Sequence, residues 1–387
     1  MKKALRFFVA AAVTFSTVVC GAGGLTPTVQ AQGTTEMTEE SLMKNIKTAQ
    51  GQTITLLEYK TVFNNYAKVE INEKGLALQS NPVDKVLMKL KMRYKLPNVE
   101  AYLLSLLTSK TPQLKGKAID YLEPSPTTTP KILTALNSET NLYVINAGIQ
   151  SLQDEISNDA NVAKFILSKA GHENLQIRLS VAQAICKKSN LGVPGVTDAI
   201  RMLMTDPENR VRSSILELIG NLGDETFIAD LAKILNDVDQ AYCHRSTLKS
   251  LFKLWYNTSG KSSPAAYNVT IEYLTQKPRT NQIPVPDAIS YMYFAQALSS
   301  DYYVEKYNEW KSKNDFYSES QWIEIMTDLA TDNNAAQLVR TSAIKEVAKI
   351  GTKENLETIK KAVEANPVAS DYDQKELIKT IDDLLNK

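Results

Sequence analysis

A nine-residue pattern returns along this chain at the spacing of a helical hairpin, and no other feature restricts its fold as much. Ile177–Ile185 (IRLSVAQAI), Val211–Ile219 (VRSSILELI), Cys243–Leu251 (CHRSTLKSL) and Val339–Val347 (VRTSAIKEV) share one template. It consists of an apolar anchor, usually a cation next to it, a small residue at +3 (Ser180, Ser214, Ser246, Ser342) and an apolar residue at +8. Looser copies begin at Leu114 and Val144, so the anchors 114, 144, 177, 211 and 243 stand 30, 33, 34 and 32 residues apart. That interval accommodates two helices and two turns, and such a unit buries its apolar stripe only by stacking on a neighbour.

Amphipathic segments precede the anchors, Val196–Met204 before the Val211 helix and Phe227–Leu235 before the Cys243 helix. Turn signals separate the two helices of each unit, as at Thr205–Asn209 and Asn236–Asp239, and Gly220, Gly223 and Gly351 lie where helix ends favour left-handed backbone. The run Thr205-Asp206-Pro207-Glu208-Asn209-Arg210-Val211-Arg212, followed by Gly220-Asn221-Leu222-Gly223-Asp224, resembles a HEAT repeat of the bacterial PBS-lyase-like type. The resemblance spans Val99 to Trp255 and resumes after Ser320. It implies an all-α fold, a right-handed α-solenoid of antiparallel helical hairpins. It also implies a ladder in which Asp206 in the turn and Arg212 on the second helix hold successive hairpins in register. Arg178 and Arg340 take the same Arg slot, with His172 and Asn334 where the turn Asp would stand, and His244 replaces Arg in the Cys243 copy. Tetratricopeptide repeats have a similar period, but their Trp, Leu-Gly, Tyr and Pro landmarks do not recur here.

The ends differ from the middle. Lys2, Lys3 and Arg6, an apolar run from Phe7 to about Val19, and Val29-Gln30-Ala31 together read as a secretory leader over 1–31, cleaved after Ala31. Cys20 offers a competing lipoprotein reading. Either way the chain is expected to be exported, periplasmic or at the cell surface, with no transmembrane span once processed and with peripheral association with the envelope open to it. Residues 32–97 are expected to form a helical cap, beginning with a helix over Thr38–Ala49. Repeats follow over 98–257, an irregular aromatic-rich helical insertion near 258–318, and further hairpins over 319–387, including Lys353–Ala365 and Asp371–Leu385.

In that insertion Pro278, Pro284 and Pro286 interrupt any helix. Behind them Tyr291, Tyr293, Phe294, Tyr302, Tyr303, Tyr307, Trp310, Phe316, Tyr317 and Trp322 put ten aromatics into 32 residues, against 7% over the chain. Such rings either plug uneven packing or make a recognition surface. On the second reading the contact residues are Tyr291, Tyr302, Tyr303, Tyr307, Trp310 and Trp322. The surrounding sequence is acidic, whereas Lys85, Lys89, Lys91, Arg93, Lys95, Lys110, Lys115 and Lys117 form a basic run. That run is either a solvated face or a contact for an anionic partner such as a phospholipid surface or acidic protein.

Motifs for chemistry are sparse. With 44 Lys+Arg against 43 Asp+Glu there is no basic footprint for nucleic acid. Two His cannot build a His-rich zinc site, Gly260-Lys261-Ser262 lacks the first glycine of a phosphate loop, and no nucleophile elbow or CxxC occurs. The expectation is a non-enzymatic scaffold or protein-binding module without cofactor or metal. A self-assembling envelope protein and a hydrolase with a carboxylate pair are the alternatives.

Cys186 and Cys243 form an even pair in an oxidising compartment, which favours a disulfide. Their register argues otherwise: two repeats apart, they are separated by roughly 13 Å along the helix axis and roughly 20 Å sideways, against about 7 Å that a disulfide can span. Thiol titration of the denatured, unreduced processed chain is therefore expected to find two reactive groups; finding none would overturn the register.

Overall fold

The computed structural model describes residues 37–77, 81–258, 260–277, 301–366 and 371–386. The leader, Cys20, Tyr291, Tyr293, Phe294 and the three prolines lie outside them. Among the described residues the chain is all-helical, with nineteen α-helices and no strand; two isolated bridges, Thr53 with Lys95 and Ile71 with Ala77, are its extended pairings.

The cap comprises α1 (Glu39–Met43), α2 (Leu56–Phe63), a 3₁₀ turn over Asn64–Lys68, and α3 (Pro82–Arg93). The first helix is shorter than expected because the chain beyond it folds around a buried carboxylate. Glu58 accepts hydrogen bonds from the Lys47 and Thr48 amides (2.5 and 2.9 Å), the Thr48 hydroxyl (2.8 Å) and the Thr55 amide (2.8 Å). Burial raises the Glu58 pKa, but these donors outweigh it and hold the group at about 2. With Thr55 as N-cap, Glu58 also completes a capping box at the start of α2.

Hairpins follow: α4 (Glu100–Leu106) with α5 (Pro112–Tyr121), α6 (Thr129–Leu136) with α7 (Leu142–Leu152), α8 (Ala160–Leu167) with α9 (Leu175–Ile185), α10 (Val196–Met204) with α11 (Asn209–Ile219), and α12 (Ile228–Leu235) with α13 (Ala241–Trp255). The second helices stack in sequence, α5 on α7, α7 on α9, α9 on α11 and α11 on α13. Short polar residues start several of them: Asn141 and Asn174 each accept two backbone N–H bonds from the first turns of α7 and α9, and Pro112 opens α5. Their anchors Val144, Ile177, Val211 and Cys243 are fully buried.

The repeat extends further than the sequence suggested. Helix α14 (Pro264–Thr275) lies in the stretch expected to be irregular, yet it packs on α12 and α13 as another first helix would. Beyond it come α15 (Asp301–Ser312), α16 (Glu319–Thr331), α17 (Gln337–Ile350), α18 (Lys353–Ala365) and α19 (Asp371–Leu385), the last two with the expected bounds.

Of the three glycines expected to be left-handed, only Gly223 is, with φ +64°. Gly220 is right-handed and is needed for another reason: a Cβ there would stand 2.7 Å from the Ser250 Cα, so only glycine lets α11 and α13 approach this closely. Its N–H donates to the Ser250 hydroxyl at 2.9 Å.

The ionic rung between hairpins is also placed differently from the expectation. Asp206 is paired through its carboxylate with Arg178 of the preceding hairpin, by Nε to Oδ2 at 2.6 Å and Nη2 to Oδ1 at 3.0 Å. Arg212 donates to the Asp206 and Pro207 carbonyls instead. Arg178 likewise donates to the carbonyls of His172 and Glu173 in its own turn, so each Arg closes its own turn and Arg178 in addition reaches the next. His172 replaces Asp as a turn acceptor, taking the Asn174 N–H on Nδ1 at 3.0 Å, as Asp206 takes the Glu208 N–H at 2.9 Å. Among the described residues no carboxylate lies within hydrogen-bond reach of Arg340, which donates its Nε to the Ala330 carbonyl at 2.9 Å.

Because Arg178 and Asp206 are both buried, removing one strands the other. Asp206→Ala should cost about 3–5 kcal/mol in denaturant unfolding, and Arg212→Ala roughly 1 kcal/mol. Equal losses would mean that Asp206 and Arg178 are not the register pair.

Candidate functional site: the aromatic junction and its rim

Helix α13 ends in Trp255, which is fully buried and collects the elements that follow it. Its ring lies 5.2 Å from Tyr267 on α14, 5.8 Å from Trp310 on α15, 5.9 Å from Tyr317, and 5.4 Å from Trp322 on α16. The polar tips of Trp310 and Tyr307 are satisfied within the cluster. The Trp310 indole N–H donates to the Ser262 hydroxyl at 2.8 Å, and the Tyr307 hydroxyl donates to Glu319 at 2.6 Å, which also receives Lys311 at 2.9 Å.

This arrangement corrects the reading of these rings as a contact surface. Tyr307, Trp310 and Trp322 are 4%, 4% and 0% exposed, so they fill the junction between α13 and the C-terminal hairpins and have no face left for a partner. Tyr302 and Tyr303 fall on α15, but their side chains, like all of Tyr291, lie outside the described residues. Sequence reasoning missed Trp255 and Tyr267, although a Trp at the point where the repeat template ends was a usable signal.

The junction encloses one unusual acid. Glu346 on α17 is wholly buried, and neither carboxylate oxygen has a hydrogen-bond partner within ordinary range among the described residues. Burial pushes its pKa up to about 8, against which the Trp322 indole and the Lys349 ammonium act weakly. A carboxyl buried among packed rings, as Glu346 is, does not reach solvent in the way that hydrolysis of a glycosidic bond requires of its acids.

A cleft of about 590 Å³ opens at the rim, lined by Asn257, Lys261, Lys306, Glu309, Lys313 and Asp315 among others. Glu309 and Lys313 pair across one side at 2.5 Å. Gly260-Lys261-Ser262, the fragment that ends like a phosphate loop, serves here to place Ser262 under Trp310.

His244 is buried, with Nδ1 2.9 Å from the Tyr273 hydroxyl and Nε2 3.0 Å from the Asp237 carbonyl, and burial lowers its pKa. Cys186 and Cys243 are free and buried, and burial raises the Cys186 thiol to about 12, far from a reactive thiolate. Among the described residues no group of three or more His, Cys, Asp or Glu is placed to hold a metal ion, and no helix is long and apolar enough to cross a membrane.

Half of the basic run, Lys85, Lys89, Lys115 and Lys117, pairs with carboxylates. Lys117 sits between Asp84 (2.7 Å) and Asp120 (2.9 Å) and over the Tyr66 and Tyr121 rings, Lys115 meets Glu139 at 2.8 Å, and Lys85 and Lys89 both meet Glu39.

No family model matches this chain, and no curated protein matches it. Among solved structures, the crystal structure of one engineered protein is 11% identical with a TM-score of 0.31, over 90% of this chain and 99% of that one. A second engineered protein is 14% identical with a TM-score of 0.19, over 75% of this chain and 97% of its own. Likeness at this level carries no argument about either fold or function.

The unfolded Glu346 carboxyl titrates near 4.5 and the folded one near 8, so the folded state binds the extra proton between them. Its burial therefore costs nothing below the first value and progressively more up to the second. Glu346→Gln should raise Tm by roughly 5 °C at pH 9 and by little at pH 4. An equal shift at both pH values would show that Glu346 does not titrate in this window.

Proposed function

We propose that the chain is an exported, non-enzymatic solenoid of HEAT-like hairpins that binds or scaffolds other proteins of the cell envelope. The observation that carries this reading is the continuous layer formed by α5, α7, α9, α11 and α13. Side chains bind neighbouring second helices across it: Ser180 to Asn146 at 2.5 Å, Lys187 to Asp154 at 2.7 Å, Lys253 to Asn221 at 2.9 Å, and Lys249 to Glu217. Such a layer is a preorganised frame, and an extended partner binding along it would lose little free energy to ordering the receptor. Tyr242, 78% exposed at the start of α13, is a ring of the kind that dominates interfaces. Export rests on the basic, apolar and small-residue order of the first 31 residues.

The test is cross-linking of the secreted protein to native envelope extract, with peptides mapped by mass spectrometry. Cross-links concentrated on α9, α11 and α13, and retention of the partner reduced about tenfold by Tyr242→Ser with Lys249→Ala in a chain still helical by circular dichroism, are expected. Recovery of the chain in the cytosol with residues 1–31 intact, or partner retention indifferent to that variant, would overturn the proposal.

A further inference from the structure

Helix α3 has two faces of opposite character. Val83, Val86, Leu87 and Leu90 are buried against α1 and α2, as the helical period requires. On the opposite arc Met88, Met92 and Arg93 face solvent, with Met88 63% and Met92 78% exposed one turn apart, while Lys85 and Lys89 beside them reach Glu39 of α1. Leu57 on the adjoining α2 is 74% exposed. Two protruding thioethers flanked by long cations make a small amphipathic surface. It lies on the most basic part of the chain, since residues 37–95 hold ten Lys or Arg against six Asp or Glu. Four of those six are engaged, Glu39 with Lys85 and Lys89, Glu40 with Lys44, Glu58 with backbone amides and Asp84 with Lys117, and ten cations against six acids still leave the region four positive charges in excess.

We infer that this face of α3 docks peripherally on an anionic lipid bilayer, the cations meeting headgroup phosphates and Met88 and Met92 entering the boundary between headgroups and acyl chains. Charge complementarity selects the surface. The far end of the chain is acidic, with eight Asp or Glu against three Lys over residues 301–332, so a negatively charged plane attracts the cap and repels the junction. The protruding methionines separate lipid from a second copy. The acidic region could neutralise the cap of a second molecule, but Tyr307, Trp310, Tyr317 and Trp322 are buried there and offer no apolar receptor for two methionines. A fluid interface accepts flexible apolar side chains without a shaped pocket. This inference rests on the proposed export only in requiring that an anionic bilayer be within reach.

The test is vesicle co-sedimentation of the secreted chain, with vesicles of phosphatidylcholine alone and of phosphatidylcholine mixed with phosphatidylglycerol. Binding to the mixed vesicles should exceed binding to the neutral ones about tenfold and fall as salt is raised. The double variant Met88→Gln, Met92→Gln keeps helix propensity and charge, and should lose about tenfold in partition to the mixed vesicles. Equal binding of the variant, or no preference for the anionic vesicles, overturns the proposal. So does a wild-type dimer in sedimentation velocity that the variant abolishes, which would assign the face to a second copy. Vesicle binding without envelope cross-links would remove the scaffold reading and leave this one intact, and the converse would do the reverse.

Discussion

A two-helix unit of this chain is too thin to enclose its own apolar side chains, so the packing of each second helix on the next carries the fold. The buried anchors Val144, Ile177, Val211 and Cys243 are all consequences of that packing, as is the close approach that requires glycine at position 220. Some of the polar groups in this interior hold neighbouring hairpins in register. The Arg178–Asp206 pair does so with two short bonds between consecutive units, and the Ser250 hydroxyl does so by receiving the Gly220 N–H. A charge pair buried in this way adds little net stability over an apolar pair of the same shape. Its effect is to penalise a slipped register.

The two ends of the repeat array are closed by different chemistry. At the N-terminal end Lys117, shared by Asp84 and Asp120 and covered by two tyrosine rings, joins the cap to the first hairpin. The Tyr143 hydroxyl donates to that of Tyr66 at 3.2 Å and extends the same connection. Toward the C-terminus aromatic volume takes this part, with Trp255 and Trp322 both fully buried. Truncating either ring would cost about 3–5 kcal/mol, as for other large core side chains. Tyr307, Trp310, Tyr317 and Trp322 thus fill the seam between α13 and the C-terminal helices.

The helical layers were legible because their evidence is local and periodic: α10, α18 and α19 have the bounds read from the sequence, and the unbridged Cys186 and Cys243 follow from the register alone. The cap was less legible. Its first helix ends early because Glu58, eleven residues beyond Lys47, gathers the intervening amides, and no periodicity signals such a bond. Continuation of the repeat into α14 escaped the template because Pro264 opens that helix and no cation follows its apolar positions, although it packs like its predecessors.

By itself, the sequence determined the class of the fold, the hairpin period and the second-helix anchors, since these follow from which side chains avoid water at a spacing of 3.6 residues per turn. Only the tertiary structure decided which side chains partner which. It gave Asp206 to Arg178 in place of Arg212, placed Tyr307, Trp310 and Trp322 inside, paired Lys85, Lys89, Lys115 and Lys117 of the basic run, and left Met88 and Met92 in solvent. The physical reason is that burial and pairing depend on distances between segments tens of residues apart, whereas periodicity records only the side of its own helix that a residue occupies.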